Sequence, residues 1–363
     1  MGKKVIVHVS EVDISLSSGM GRVEYYWKAA LENRGYEFIH IGPSEVGPMK
    51  HQGLFPRKAW KYYKQLNIRP DALIVHEPAG GYFTNLGIPC FLESHGIERR
   101  NWENQLNGLI PLGIRISSRT KLLFPLWRLR GCDQGLRRAD KLLLINSEDR
   151  DYAMKKYNRS KDDIFVFRNG VNSQEKEIYP VQEEKFTVLF NGTWIERKGT
   201  KLLVKAAEML RDKGYSPLYL LIGSGKDEND VMNDWPADLR PQVQVVSRFK
   251  PEEEASFLAK ASVFVLPSYF EGQPLSLLQA MSAGKCSITS NCCGQKDIIE
   301  HGRTGLLFEP GNAEQLASLI ESAIKDRSMA ETLGANARQM VSQRSWSSVS
   351  DEVATYIINN IRQ

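Results

Sequence analysis

Residues 263–289 read VFVLPSYFEGQPLSLLQAMSAGKCSIT. The first four, Val263, Phe264, Val265 and Leu266, form an unbroken apolar run stopped by Pro267 and Ser268. A run of that length with no alternation is a strand buried on both faces. A turn follows, with one carboxylate, Glu271, on its lip. Pro274 then opens a helix over about 274–283, where its missing N–H costs nothing. Ser287–Thr289 is the next strand. Strand, turn, helix, strand is a βαβ crossover, which joins parallel strands. Within the helix, Ser276, Gln279 and Ala283 share one stripe, and Leu277, Leu278 and Met281 share another. One stripe packs and the other faces outward, to solvent or to a ligand. The first-turn amides of Leu275 and Ser276 have no intrahelical acceptor and can take a phosphate. Glu271, just ahead of them, is an acceptor for hydroxyl donors such as a sugar's.

Outward from this unit the same alternation fills the chain. In the second half the strands are Thr187–Phe190, Leu218–Ile222, Val243–Val246, Val263–Leu266 and Ser287–Thr289. Helical patterns lie near 200–213, 251–261, 274–283, 313–325 and 328–342. In the first half the strands are Val5–Val9, Phe38–Ile41, Ala72–His76, Ile88–Leu92, Leu142–Asn146 and Ile164–Arg168, with a helix at Arg22–Asn33. The 363 residues suit two domains. The pattern predicts an α/β protein of two doubly wound, Rossmann-like domains. Their expected bounds are 1–173 and 174–344, joined through polar Asn172–Lys185, with an amphipathic C-terminal helix in 345–363.

Composition excludes several classes. The chain is 42% hydrophobic and 25% charged, and it has no low-complexity tract. A net charge of +5 is mild and demands no nucleic acid, and no RNA-binding signature accompanies it. No apolar run is long enough to span a membrane, and no signal-peptide core follows Met1, so a cytoplasmic location is expected. The five cysteines include no Cys-x-x-Cys pair and read as reduced, small core residues. Asp149-Arg150-Asp151 spells the string some transferases use for metal, but it falls at a predicted helix start, where acids complement the dipole. No metal site is expected.

Open parallel sheets bind ligands beyond the carboxyl ends of their strands. After the first strand, Gly19 and Gly21 open a helix, which is either an anion site or a flexible loop with a helix start. After the fourth comes His95, placed either to orient a substrate or to cap a loop. In the second half, Gly192 begins a turn that ends in Arg197-Lys198-Gly199. Cations near a helix N-terminus oppose its dipole, and an anion held between them, phosphate above all, removes that conflict. Gly223 fits close approach of a ligand or a plain tight turn, and Arg248-Phe249 can frame a flat ring.

Taken in order, these pieces resemble the family-4 retaining glycosyltransferases of GT-B architecture. The family's G-x-G-R matches Gly19–Arg22, and its R/K-K-G matches Arg197–Gly199. Its P-S-x-x-E-G-x-P-L-S-L-L-E-A-M-A-x-G matches Pro267–Gly284 apart from Gln279 and Ser282, and its H-G-x-T-G-L-L-F-x-P-G-N matches His301–Asn312. An Ala139-Asp140, Ser147 and Asn169-Gly170-Val171 series matches loosely. The resemblance covers nearly the whole chain. It implies two domains facing each other and a final helix crossing back to the first. It implies transfer of a sugar, without metal or other cofactor, from a UDP- or GDP-linked donor to a glycan, lipid-linked or small-molecule acceptor. Arg197 and Lys198 would hold the diphosphate together with the amides of Leu275 and Ser276. Glu271 would contact the donor sugar and Gln279 the ribose. Gly21 would approach phosphate, His95 would lie beside the sugar, and Arg248-Phe249 would lie at the base.

Two positions depart from the pattern. Thr193 follows Gly192 where the family usually has Arg, and Gln279 stands where it usually has Glu. Two functions therefore remain: a working transferase, or a nucleotide-sugar-binding protein that does not turn over. Retention of Glu271, Arg197, Lys198 and His95 favours the first.

Between Arg99 and Arg138 nine basic residues face only Glu103 and Asp133, a surplus of seven, interleaved with leucines, Phe124 and Trp127. This suggests peripheral contact with an anionic membrane or a groove for an anionic acceptor, against a core-facing helix with a solvated basic side.

Overall fold

The computed structural model describes residues 4–16, 18–111, 113, 115–171 and 185–361. The chain divides into two compact units. One comprises Met1–Asn107, Ile114–Gly170 and Trp346–Gln363; the other comprises Gly108–Gly113 and Val171–Ser345. The 173/174 boundary and nearly all of the Asn172–Lys185 linker expected from the sequence lie outside the described residues.

The first unit holds β1 (Lys4–Val9), β2 (Tyr36–Ile41), β3 (Ala72–His76), β4 (Cys90–Ser94), β5 (Lys141–Leu144) and β6 (Ile164–Val166). They form one sheet in the order β2-β1-β3-β4-β5-β6, and every pairing is parallel. The second unit holds β7 (Thr187–Asn191), β8 (Leu218–Ile222), β9 (Val243–Val246), β10 (Val263–Leu266), β11 (Cys286–Ser290) and β12 (Leu306–Phe308), in the order β12-β11-β10-β7-β8-β9. These pairings too are parallel. The order reverses between β1 and β3 in one sheet and between β7 and β10 in the other, the switch points where such sheets take ligands.

The α/β class with two doubly wound units is as the alternation predicted. β4 runs two residues later than expected, and β12 was not predicted. The central strands are apolar on both faces because helices cover both: all four residues of β10 and all five of β7 are buried.

The C-terminal helix Trp346–Ile361 returns to the first unit and packs on the Gly19–Glu32 helix. Trp346 stacks on Tyr26 with ring centroids 4.8 Å apart, and Tyr356 stacks on Phe165 at 4.6 Å. Arg34 pairs with Asp351 at 2.7 Å. Gly170 is needed here, since a Cβ on it would fall 2.5 Å from Trp346 Cα.

Candidate functional site

At the switch point of the second sheet, the loops after β7 and β10 are laced together. The single turn Glu196–Lys198 is 3₁₀, and the helix Thr200–Asp212 starts only beyond Gly199. Arg197 and Lys198 therefore sit in the turn before that helix. Gly199 is left-handed (φ 74°), and a Cβ there would lie 2.0 Å from Pro267 O. The amide of Tyr269 donates to Arg197 O at 2.9 Å, and Arg197 Nη1 donates to Phe270 O at 2.5 Å. One guanidinium donor is thus spent on holding the turn that carries Glu271.

Lys198 Nζ forms an ion pair with Glu271 Oε1 at 2.6 Å, with both side chains largely buried. Burial works to raise the Glu271 pKa, but the charges of Lys198 and Arg197 outweigh it and hold the carboxyl below its ordinary value. The sequence assigned these groups separate tasks; the fold makes them partners.

The helix Leu275–Ser282 starts four residues after Glu271, with Pro274 at its N-cap. Its stripes divide as expected: Leu277, Leu278 and Met281 are buried, while Leu275, Ser276, Gln279 and Ala283 are half-buried. A Cβ on Gly294 would reach to 1.7 Å from Gly272 O, so the turn is also packed closely from behind.

The loops after β8 and β9 lie alongside. Gly192 N donates to Ile222 O at 3.0 Å, and Gly223 N donates to Val246 O at 2.8 Å. A Cβ on Gly223 would lie 3.3 Å from the Phe249 ring, and one on Gly192 would lie 3.8 Å from Lys198 Cε. Gly192, Gly223, Phe249 and Lys198 are therefore successive neighbours. Phe249 meets Phe257 edge-on at 5.7 Å, while Arg248 is exposed. Asn191, absent from the sequence reading, donates to Glu254 Oε1 at 2.7 Å beside Gly223. Nothing in its local sequence marks it.

The first-unit candidates have other surroundings. Gly19 is exposed at the start of its helix. The amide of Gly21 donates to the Ser18 hydroxyl at 3.1 Å, and a Cβ on Gly21 would lie 2.6 Å from Asp13 O. Its lack of a side chain thus serves packing of its own loop. His95 lies between His76 and Phe167, and burial pushes its pKa down to about 3, with the charge of His8 adding to the shift. It is neutral at physiological pH. Asp149 of the Asp-Arg-Asp string is buried against Arg100 at 2.8 Å and Asn146 at 2.8 Å.

Beneath these loops is a buried polar cluster. His8 Nε2 lies 3.2 Å from Glu93 Oε1, His8 Nδ1 lies 3.0 Å from His40 Nδ1, and Ser10 Oγ donates to Glu24. Among the described residues, His8, Glu24 and His40, and also Asp13, His40 and Glu45, lie close enough to share a cation. Asp13 already accepts from Ser44 N and Oγ, and Glu45 from Gly42 N.

Burial pushes Glu24 and Glu93 up to about 8; for Glu24, His8 opposes the shift and the Glu93 charge adds to it. Between their ordinary 4.5 and about 8 the folded chain holds these protons and the unfolded chain does not, so stability falls as pH rises through that window. His40, pushed down to about 4 by burial and by His8, acts oppositely: its contribution grows as pH rises from about 4 to 6.5. Above pH 6.5, past the ordinary histidine value, Glu24 and Glu93 continue to lower stability as pH rises. Glu24→Gln is therefore expected to lose less thermal stability than the native chain between pH 6.5 and 8. Parallel melting curves across that interval would show Glu24 ionising like a surface carboxylate.

Two six-stranded, parallel, Rossmann-like units define the fold as that of GT-B glycosyltransferases. Residues 171–340, within the second unit, match the family described as Glycosyl transferases group 1. Among curated proteins, the Staphylococcus aureus capsular polysaccharide biosynthesis glycosyltransferase CapM is 29% identical over 178 residues, 49% of this chain and 47% of its own. The chain thus spans about half the length of the curated relatives it matches. Among solved structures, sucrose-phosphate synthase from Thermosynechococcus elongatus superposes with a TM-score of 0.78 at 18% identity, covering 98% of each chain. Anabaena HepE, in complex with UDP and glucose, superposes with a TM-score of 0.68 at 16% identity, over 98% of this chain and 100% of its own.

Proposed function

We propose that this chain is a retaining, metal-independent glycosyltransferase that moves a sugar from a UDP- or GDP-linked donor to a lipid-linked or other glycan acceptor. The observation that carries this reading is the Lys198–Glu271 pair, seated between a glycine-bounded turn and the start of the Leu275–Ser282 helix. Breaking the bond from sugar to diphosphate loads negative charge on the leaving group. An ammonium, a guanidinium and the first amides of the Leu275–Ser282 helix, carried on neighbouring loops, would stabilise that charge. The Glu271 carboxylate, kept ionised by the two cations, accepts hydroxyl hydrogens from the sugar. Gln279, on the outward stripe, offers both donor and acceptor to ribose hydroxyls. The match of residues 171–340 to group 1 glycosyl transferases supports the same reading.

The test is a panel of UDP- and GDP-sugars incubated with the chain in EDTA, with released nucleotide measured. Slow hydrolysis of one donor is expected. Nucleotide binding without any hydrolysis, with acceptors supplied, would favour a donor-binding protein that does not turn over. No binding of any nucleotide would remove both readings.

The basic segment changes meaning in the structure. Arg99 pairs with Asp133, Arg100 with Glu148 and Asp149, and Arg128 with Glu11 and Glu98. Asp133 is already subtracted in the surplus of seven, but the acids that hold Arg100 and Arg128 lie outside that segment, so the surplus still overstates the charge on display. Arg119 and Lys121 stay exposed, beside Leu122 at 67% and Leu126 at 61% exposure. Among the described residues no helix is long and apolar enough to cross a membrane. We assign this face to peripheral contact with anionic lipid at the cytoplasmic side. Liposome co-sedimentation is expected to require anionic lipid, to weaken in high salt, and to be lost in a Leu122→Ser, Leu126→Ser variant. Equal sedimentation with neutral vesicles would sink the assignment.

A further inference from the structure

We propose that a recess in the first unit, beneath the segment 118–129, binds a neutral pyranose ring: the sugar end of the acceptor. This rests on the glycosyltransferase reading above. The recess has a volume of about 350 Å³, at the lower end of the roughly 300–1,000 Å³ of small-ligand clefts. Its apolar wall is built from three rings. Trp102 and Phe124 have centroids 4.7 Å apart, and Phe124 meets Trp127 edge-on at 5.8 Å. His51 also meets Trp127 edge-on, at 5.3 Å. Gly53 lets the backbone approach this indole, since a Cβ there would fall 2.0 Å from Trp127 Cζ3. Yet Trp127 remains 48% exposed. A large ring packed against Phe124 and His51 thus keeps accessible surface at the recess.

The backbone places this ring at the recess by an uncommon device. Pro125–Leu129 is a π-helical turn, opened at a residue that lacks an N–H. Such turns shift side chains off the regular helical phase, often at functional sites. Here the turn brings Trp127 and Arg128 both onto the recess.

Charge decides what kind of ligand fits. Arg128 is gripped by Glu11 at 2.5 and 2.6 Å and by Glu98 at 2.5 and 2.8 Å. Burial lowers its pKa, but these bonds outweigh it and carry it above the ordinary value. One guanidinium held by two carboxylates leaves a net negative charge, which repels phosphate. Glu98 is taken up by Arg128 and Cys132, and the polar edge is left to Asn101 and Gln105, 3.2 Å apart, which supply both donors and acceptors. An apolar ring face edged by amide groups complements a pyranose, whose C–H face is apolar and whose rim is hydroxyls.

Saturation-transfer NMR on the full chain tests the proposal. The probes are methyl glycosides of glucose, galactose and N-acetylglucosamine, with inorganic phosphate followed by its own line width, and UDP and GDP titrated in parallel. At least one glycoside is expected to receive saturation, and phosphate is expected to show no broadening that depends on Arg128. Trp127→Ala should weaken glycoside binding about tenfold, and Gln105→Ala less, with nucleotide binding unchanged in both. Nucleotide binding with no glycoside signal, or with a signal indifferent to both substitutions, overturns the recess and leaves the transferase reading intact. Phosphate competing with the glycoside also overturns it. A glycoside signal lost in Trp127→Ala in a chain that binds no nucleotide would instead keep the saccharide site and remove the transferase reading.

Discussion

Lys198→Ala is expected to lower kcat by about 10²–10³ while changing donor KM much less. The reason is timing. In the proposed reaction the ammonium, paired with Glu271 at 2.6 Å, would meet its largest demand when the diphosphate departs. Removing it deletes charge stabilisation at that moment and leaves a buried carboxylate without its nearest cation. The pH response follows from the same pair. Glu271 is held below its ordinary value, so the stability its ionised form contributes is complete above that value and is lost as pH falls through the lower, folded one. Without Lys198 the depression shrinks, and the acid limb of the kcat profile moves to higher pH. Steady-state kinetics of Lys198→Ala and Lys198→Arg from pH 4 to 8 check both points. A kcat within threefold of the native value would remove Lys198 from the chemistry.

Gly199→Ala should be strongly disruptive, costing about 3 kcal/mol. Two effects add. The left-handed backbone alone costs an L-residue roughly 1–2 kcal/mol, and the new methyl would lie 2.0 Å from Pro267 O. That contact is with backbone, so no side-chain rotation relieves it. Gly214→Ala is the matched control, because Gly214 has a similar φ of 83° with nothing within 4 Å of the added atom. Urea denaturation should show Gly214→Ala losing only the conformational part. The excess loss in Gly199→Ala measures the steric part. Because the displaced carbonyl begins the turn that carries Glu271, Gly199→Ala should also weaken donor binding. Equal losses in the two variants would mean that the loop after β10 yields freely.

The sheets were legible because parallel strands covered on both faces are written as unbroken apolar runs. β3, β8, β9 and β10 begin and end where the runs do. β4 was displaced because its last residues look polar. Glu93 and Ser94 are buried by partners far along the chain, His8 and Glu77. β12 has only three residues, too few for any period to show. In the candidate site, residue types and their order after the strands could be read, and the outward stripe of the 275–282 helix followed from spacing. Pairings could not. Lys198 and Glu271 are 73 positions apart and Arg128 and Glu11 are 117 apart, so the sequence counts both members of each pair as uncommitted charges. The surplus of seven arose in that way.

The return of residues 346–361 to the first unit bears on how the chain is made. That unit is assembled from stretches at both ends of the sequence, with the whole of Val171–Ser345 translated in between. A nascent chain therefore presents the Gly19–Glu32 helix, with Tyr26 uncovered, until the ribosome has passed Trp346. The unit synthesised first thus receives its last segment only after the second unit has been translated, unlike domains that are each complete in turn along the chain.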